Sequence, residues 1–159
     1  MSPFIFVERR DMAGLSAALK LIDINTQGPT GMSLLHSAAA KDGSLEMTEE
    51  LIRRGINVNL RDSDGATALL YAAEWSRIDV AEAILNAGGD LNIEDEHGNQ
   101  PLWYAAGKPR PNYELIELFM RRGADPHHRN RYGTSPLDLA KQRKNHLLMR
   151  ALRGVVDSN

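Results

Sequence analysis

The chain has 159 residues, 42% of them hydrophobic and 25% charged, with a formal net charge of −2. These values suit one globular domain or a short repeat array, and the net charge offers no bulk attraction to nucleic acid. Cysteine is absent, which excludes disulfides and thiolate zinc sites and fits a reducing compartment. The charge is uneven: residues 1–107 hold 8 Lys and Arg against 16 Asp and Glu, and residues 108–159 hold 11 against 5. Such polarity can orient a charged partner during encounter.

The amino terminus, Met1 to Arg10, puts a short apolar patch before its charges, the reverse of a secretory leader. No stretch approaches the roughly 18 consecutive apolar residues of a membrane span, so a cytoplasmic location without membrane contact is expected. Residues 4–20 read as two short helices, Phe4 to Arg10 and Met12 to Lys20, followed by Asp23-Ile-Asn25. Four phrases then align on a leading glycine: Gly31-Met-Ser-Leu-Leu-His-Ser-Ala-Ala39, Gly65-Ala-Thr-Ala-Leu-Leu-Tyr-Ala-Ala73, Gly98-Asn-Gln-Pro-Leu-Trp-Tyr-Ala-Ala106 and Gly133-Thr-Ser-Pro-Leu-Asp-Leu-Ala-Lys141. Ser33, Thr67 and Ser135 are placed to cap a helix through a side-chain oxygen. Pro101 and Pro136 fall at the first helical position, where a missing N–H costs nothing. The paired alanines at 38–39, 72–73 and 105–106 are small enough to let neighbouring helices approach closely.

A second helix follows in each phrase, with apolar residues at helical spacing: Met47, Leu51 and Ile52; Val80, Ile84 and Leu85; Leu115, Leu118 and Phe119. These helices end at Gly55, Gly88 and Gly123, where a left-handed residue closes the C-terminus. Arg53-Arg54 and Arg121-Arg122 occupy the last turn, where cations oppose the helix dipole. Each glycine opens a similar exit phrase, as in Gly55-Ile-Asn-Val-Asn59. A turn follows through Gly28, Asp62, Asp95 or Asn130 to the next leading glycine. The closing glycines are 33 and then 35 residues apart, and a period in this range marks stacked repeats. At the end, Lys141 to Asn145 read as the polar outside of a last unit and Val155 to Asn159 as a frayed tail.

Together these features resemble the ankyrin repeat over residues 23–153. The resemblance implies an all-α repeat solenoid in which each helix pair is followed by a projecting hairpin-like finger, with about five units including degenerate caps. The boundaries expected are a capping repeat at 1–28, full repeats at 29–61, 62–94 and 95–129, a C-terminal capping repeat at 130–153 and a tail at 154–159, all in one continuous domain. The family's Thr-Pro-Leu-His survives only in pieces: the histidine is present at His36, and Trp103 stands in its place in the third full unit.

Because repeats are structurally redundant, function is sought where the units differ. Extra residues fall between the two helices of a unit, one around Asp42-Gly43 and two in Gly107-Lys-Pro-Arg-Pro-Asn112. The alternation Lys108-Pro109-Arg110-Pro111 predicts a stiff, basic loop. In the family the finger tips and the inward face of the first helices form the concave binding surface. Tips carried over by position include Gln27 and Thr30, then Arg61, Ser63 and Asp64, then Glu94, Glu96, His97 and Asn99, then Arg129, Arg131 and Tyr132. The helix face adds Lys41, Leu70, Glu74, Trp75, Trp103, Lys108, Asp138 and Gln142. The partner-binding candidates are therefore Arg61, Asp64, Glu74, Trp75, Glu96, His97, Trp103, Lys108, Arg110, Arg129, Arg131 and Tyr132, a set rich in the aromatics and arginine that binding hot spots favour. Asp95 is assigned to a structural turn, with Glu94 and Glu96 pointing outward.

No catalytic constellation is present: there is no phosphate loop and no nucleophile motif, so the chain is not read as an enzyme. His127-His128 with His97 lacks a carboxylate at ligand spacing, and no metal or cofactor is expected. The basic residues of the last third are explained by helix ends and a polar cap, which argues against a nucleic-acid partner. A protein partner, possible toxins and enzymes included, is left, held by a chain that is monomeric on its own. The sequence also resembles compact bacterial ankyrin arrays, among which are immunity proteins that neutralise a toxin; that resemblance implies a stoichiometric inhibitor. An adaptor or scaffold linking several partners is the alternative.

Overall fold

A computed structural model of the chain describes residues 2–40 and 44–154. Lys41, the Asp42-Gly43 insertion and the Val155 to Asn159 tail lie outside the described residues. Those residues contain α1 (Phe4–Glu8), α2 (Met12–Ala18), α3 (Leu34–Ala39), α4 (Leu45–Arg53), α5 (Ala68–Glu74), α6 (Ile78–Asn86), α7 (Pro101–Gly107), α8 (Tyr113–Arg121), α9 (Pro136–Gln142) and α10 (His146–Leu152). Contacts group the chain into unit 1, Met1–Asp90, and unit 2, Leu91–Asn159. In unit 1, α3 packs on α1 and α5 while α4 packs on α3 and α6. In unit 2, α7 packs on α9, and α10 on both α8 and α9.

The helices are short, so packing stabilises them more than propensity does. All three alanine pairs are buried, as their size requires, and the second helices bury Met47, Leu51, Val80, Ile84, Leu115 and Phe119. Each large apolar side chain removed from water contributes about 1.5–3 kcal/mol before entropy is counted. Leu70 belongs to this core at 2% exposure, not to the accessible binding face to which its position assigns it.

Helix starts vary from repeat to repeat. Ser33 and Ser135 cap α3 and α9 through their hydroxyls, accepting from the His36 and Asp138 amides. Thr67 does not cap α5, contrary to expectation; its Oγ1 is buried without a hydrogen-bond partner among the described residues. The two serine caps gain a second bond from the third helical position. His36 Nδ1 accepts from the Ser33 amide at 3.0 Å and Asp138 Oδ2 from the Ser135 amide at 3.2 Å, whereas Leu70 has nothing with which to close the box.

Turns between the helices of a repeat close with a bond back into the first helix in several repeats. In three of them a non-glycine residue adopts the left-handed conformation, Arg10 (φ 56°), Ser76 (φ 54°) and Lys144 (φ 52°). The next amide then bonds back into the helix: Asp11 to Phe6 O, Arg77 to Ala72 O and Asn145 to Ala140 O. After α3 the amide of Ser44 likewise bonds back, to Ala38 O at 3.1 Å, and after α3 and α7 an arginine from the following repeat also reaches the helix-end carbonyls. Arg77 Nη1 donates to Ala40 O at 3.4 Å, and Arg143 donates to the carbonyls of Gly107 at 2.8 Å and Lys108 at 3.1 Å. Arg143 is thus a brace as well as an exposed member of the last unit's polar outside.

Candidate binding surface

The second to fourth fingers are short reversals organised by one side chain each. In the second finger, Asp62 Oδ1 accepts from the amides of Asp64 (3.0 Å) and Ala66 (2.9 Å), and Oδ2 accepts from the Tyr71 hydroxyl (2.9 Å). The third finger repeats this: Asp95 takes the amides of His97 and Asn99 and the Tyr104 hydroxyl at 2.6 Å. Asn130 takes the amides of Tyr132 and Thr134 in the fourth. Asp95 is buried, with Glu94 and Glu96 exposed, as the turn assignment anticipated. Burial and the bond to Asp62 push the Tyr71 hydroxyl far above the usual phenol range.

Neighbouring fingers within a unit are tied by backbone bonds, Ser63 N–H to Thr30 O at 3.0 Å in unit 1 and Arg131 N–H to His97 O at 2.9 Å in unit 2. A glycine makes the first approach possible: Gly31 has φ 74°, and a Cβ there would stand 2.6 Å from the Ser63 nitrogen. A side chain would therefore meet both strain and a clash.

The candidate contact residues sort as follows. In unit 1, Arg61 donates through Nε to Gly65 O at 3.0 Å and so clasps its own finger. Asp64 is exposed, Glu74 half-buried, and Trp75 is 42% exposed at the C-terminal end of α5. In unit 2, Tyr132 is 74% exposed, with its ring 6.1 Å from that of His97 and its hydroxyl 3.4 Å from His97 Nδ1. Glu96 faces His97 at 3.6 Å. Arg131 stands beside them, exposed, its stem lying over Gly98. Glu96, His97, Arg131 and Tyr132 are thereby brought together. Arg129 is otherwise engaged, with Asp138 at 3.1 Å and with Gly133 O. Trp103 is half-buried, edge-on to Tyr104 at 5.6 Å, and its Nε1 is covered without a hydrogen-bond partner among the described residues. Lys108 is half-buried and Arg110 exposed on the α7–α8 loop. Asn99 is buried rather than displayed at a tip, because Asn130 Nδ2 donates to its side chain at 2.8 Å.

His36 shows what the retained histidine does. Its Nδ1 receives an amide N–H, so it carries the lone pair, and Nε2–H donates to Ala66 O at 3.0 Å. Burial holds the ring neutral and lowers its pKa, against smaller opposing effects from Ala66 and Asp62. The Asp138 carboxyl is held below its usual value chiefly by the Ser135 amide and hydroxyl, then by Arg129. Glu50 is likewise lowered by Arg53 and Arg54.

The family model for ankyrin repeats in three copies matches residues 11–95, and the single ankyrin repeat model matches residues 97–131. The chain is an ankyrin-repeat protein. Its fold class is the all-α repeat solenoid, and ankyrin repeats are protein–protein interaction modules, generally without enzymatic activity of their own. Among the described residues of this ankyrin-repeat protein, no helix is long and apolar enough to cross a membrane. The braces at Arg77 and Arg143 and the tyrosine contacts of Asp62 and Asp95 were missed in the sequence. A signal for the latter existed, since Tyr71 and Tyr104 each lie nine residues after their aspartate.

Proposed function

We propose that this ankyrin-repeat protein is a stoichiometric inhibitor that holds one folded protein partner with its fingers and first-helix faces and silences it by occlusion, as an immunity protein does a cognate toxin. It acts in the cytoplasm and is monomeric until the partner arrives. The observation that carries the reading is the preorganisation of the fingers. Each of the second to fourth is closed by a side-chain hub, and neighbours within a unit are joined by a backbone bond. A surface already ordered loses little entropy on binding, which favours a tight complex. Unit 1 displays Trp75 and unit 2 displays Arg131 and Tyr132, residue types that dominate binding energy when they become buried.

The test is capture of the partner from the native host on the tagged chain, followed by titration of that partner's activity. One tight partner silenced at equimolar ratio supports the inhibitor; several weak partners retained together would replace it with the adaptor. Trp75→Ala and Arg131→Ala are each expected to weaken capture by about tenfold or more while leaving the thermal melt nearly unchanged.

A further inference from the structure

Unit 2 contains a second cluster that the fingers do not include. The α7–α8 loop carries Lys108 and Arg110, and the α9–α10 turn carries Lys141, Arg143 and Lys144. The two segments are joined: Arg143 donates to the carbonyls of Gly107 and Lys108, and Asn145 Nδ2 donates to the Tyr113 hydroxyl at 3.3 Å. Neither stretch contains an acid, since residues 97–113 and 139–154 hold no Asp or Glu. Elsewhere the chain interleaves its cations with carboxylates, as Glu50 does with Arg53 and Arg54.

Shape accompanies charge. Lys108 is extended (φ −68°, ψ 147°), and Pro109 and Pro111 each fix their own backbone and restrain the residue before them. Arg143 pins the start of the loop, so Arg110 and Pro109 are displayed at its exposed crest. The guanidinium keeps its charge while donating to carbonyls, so the brace itself adds to the positive field.

We propose that the α7–α8 loop and the α9–α10 turn form one preformed cationic site for an acidic segment of the partner protein. This rests on the reading of the chain as a protein-binding module. The choice of a polypeptide over a nucleic acid follows from two observations. The described residues of the cluster present no exposed aromatic ring for base stacking. The chain as a whole is net negative, which opposes a long phosphate polyanion but not a short acidic stretch. An acidic segment seated here would engage Arg110 and Lys144 directly and would be steered to them during encounter.

The probe is a fluorescein-labelled polyglutamate peptide added to the intact chain, with anisotropy followed at low and rising salt. Binding that fades as salt rises is expected, and the double variant Arg110→Glu/Lys144→Glu lowers the affinity by about tenfold. Lys20→Glu, an exposed charge reversal in unit 1, changes it less than about twofold. Arg110→Glu alone, within a proline-bounded loop, keeps the test sound should the double variant melt early; it too must weaken binding. No binding at low salt, or an equal loss with Lys20→Glu, overturns the proposal. Tighter binding of single-stranded DNA or phosphatidylserine vesicles at the same salt also overturns it, in favour of a phosphate-bearing partner. Partner capture separates the two readings: if Arg131→Ala abolishes capture while Arg110→Glu/Lys144→Glu leaves it intact, the acidic-segment site fails and the protein-binding reading stands.

Discussion

Helices α3 in unit 1 and α9 in unit 2 begin with the same geometry and different chemistry. Each has a serine N-cap, and each has a third residue whose side chain accepts the N-cap amide: an imidazole nitrogen in α3 and a carboxylate oxygen in α9. Where this position carries an acceptor of the right reach the box closes, and histidine is one solution. The difference lies in the other end of the side chain. His36 sends its second ring nitrogen to Ala66 O in the next repeat, while Asp138 pairs with Arg129 of its own finger. The first cap is therefore buried and tied into its neighbour, and the second is half-exposed and local.

The largest effect should come from the buried side of that comparison. His36→Ala removes a buried ring together with its bonds to Ser33 and one of the two donors to Ala66 O, which keeps the Asp62 amide, and a loss of about 2–4 kcal/mol is expected in urea unfolding. Asp138→Ala should cost clearly less, because its carboxylate is partly in water and the Ser135 hydroxyl still accepts the amide at 138; equal losses would break the comparison. Acid separates the two further. His36 is held neutral when folded and takes up a proton when unfolded, so its variant-sensitive stability falls as pH drops through about 6.5. The contribution of Asp138 is present above its ordinary value of 3.8 and is lost as pH falls below it. A pH series of melts on the parent, His36→Gln and Asp138→Asn proteins should show the upper window flattened only by the first substitution.

The inter-helix connections sharpen the same point within unit 2. Arg143→Ala should cost about 1–2 kcal/mol, discounted for exposure, and should raise amide exchange across residues 108–112 while α9 remains protected. The smallest effect is a gain. Lys144 holds a left-handed conformation, so Lys144→Gly should stabilise by about 0.5–1 kcal/mol, read as a raised midpoint. A loss there would mean that the lysine side chain supports the turn.

Much of the helical plan was legible because it rests on local rules. The serine caps, the prolines opening α7 and α9, the closing glycines and the buried alanine pairs all appear where spacing and residue type placed them. The expected cap failed at Thr67, whose hydroxyl makes no bond to the helix it precedes. Candidate contacts were less legible. Arg61, Arg129 and Arg131 look alike in sequence, yet two clasp their own fingers and one stands exposed beside Tyr132. Trp103 looks like a contact residue and lies half-buried, because the short turn of α7 sets it against Tyr104 and Gly107.

By itself the sequence determined the period, the helix pairs and the family, since caps, breakers and apolar spacing act over a few residues and need no knowledge of distant ones. Tertiary structure decided which polar groups are free. Arg77 and Arg143 meet their carbonyls 37 and 36 residues away, and Asn130 meets Asn99 across 31. Such bonds depend on how one repeat is set upon the next, to within the few tenths of an ångström that separate a hydrogen bond from a missed one. That stacking leaves Tyr132 and Arg110 on the surface and commits Arg143 and Asp95 to holding it.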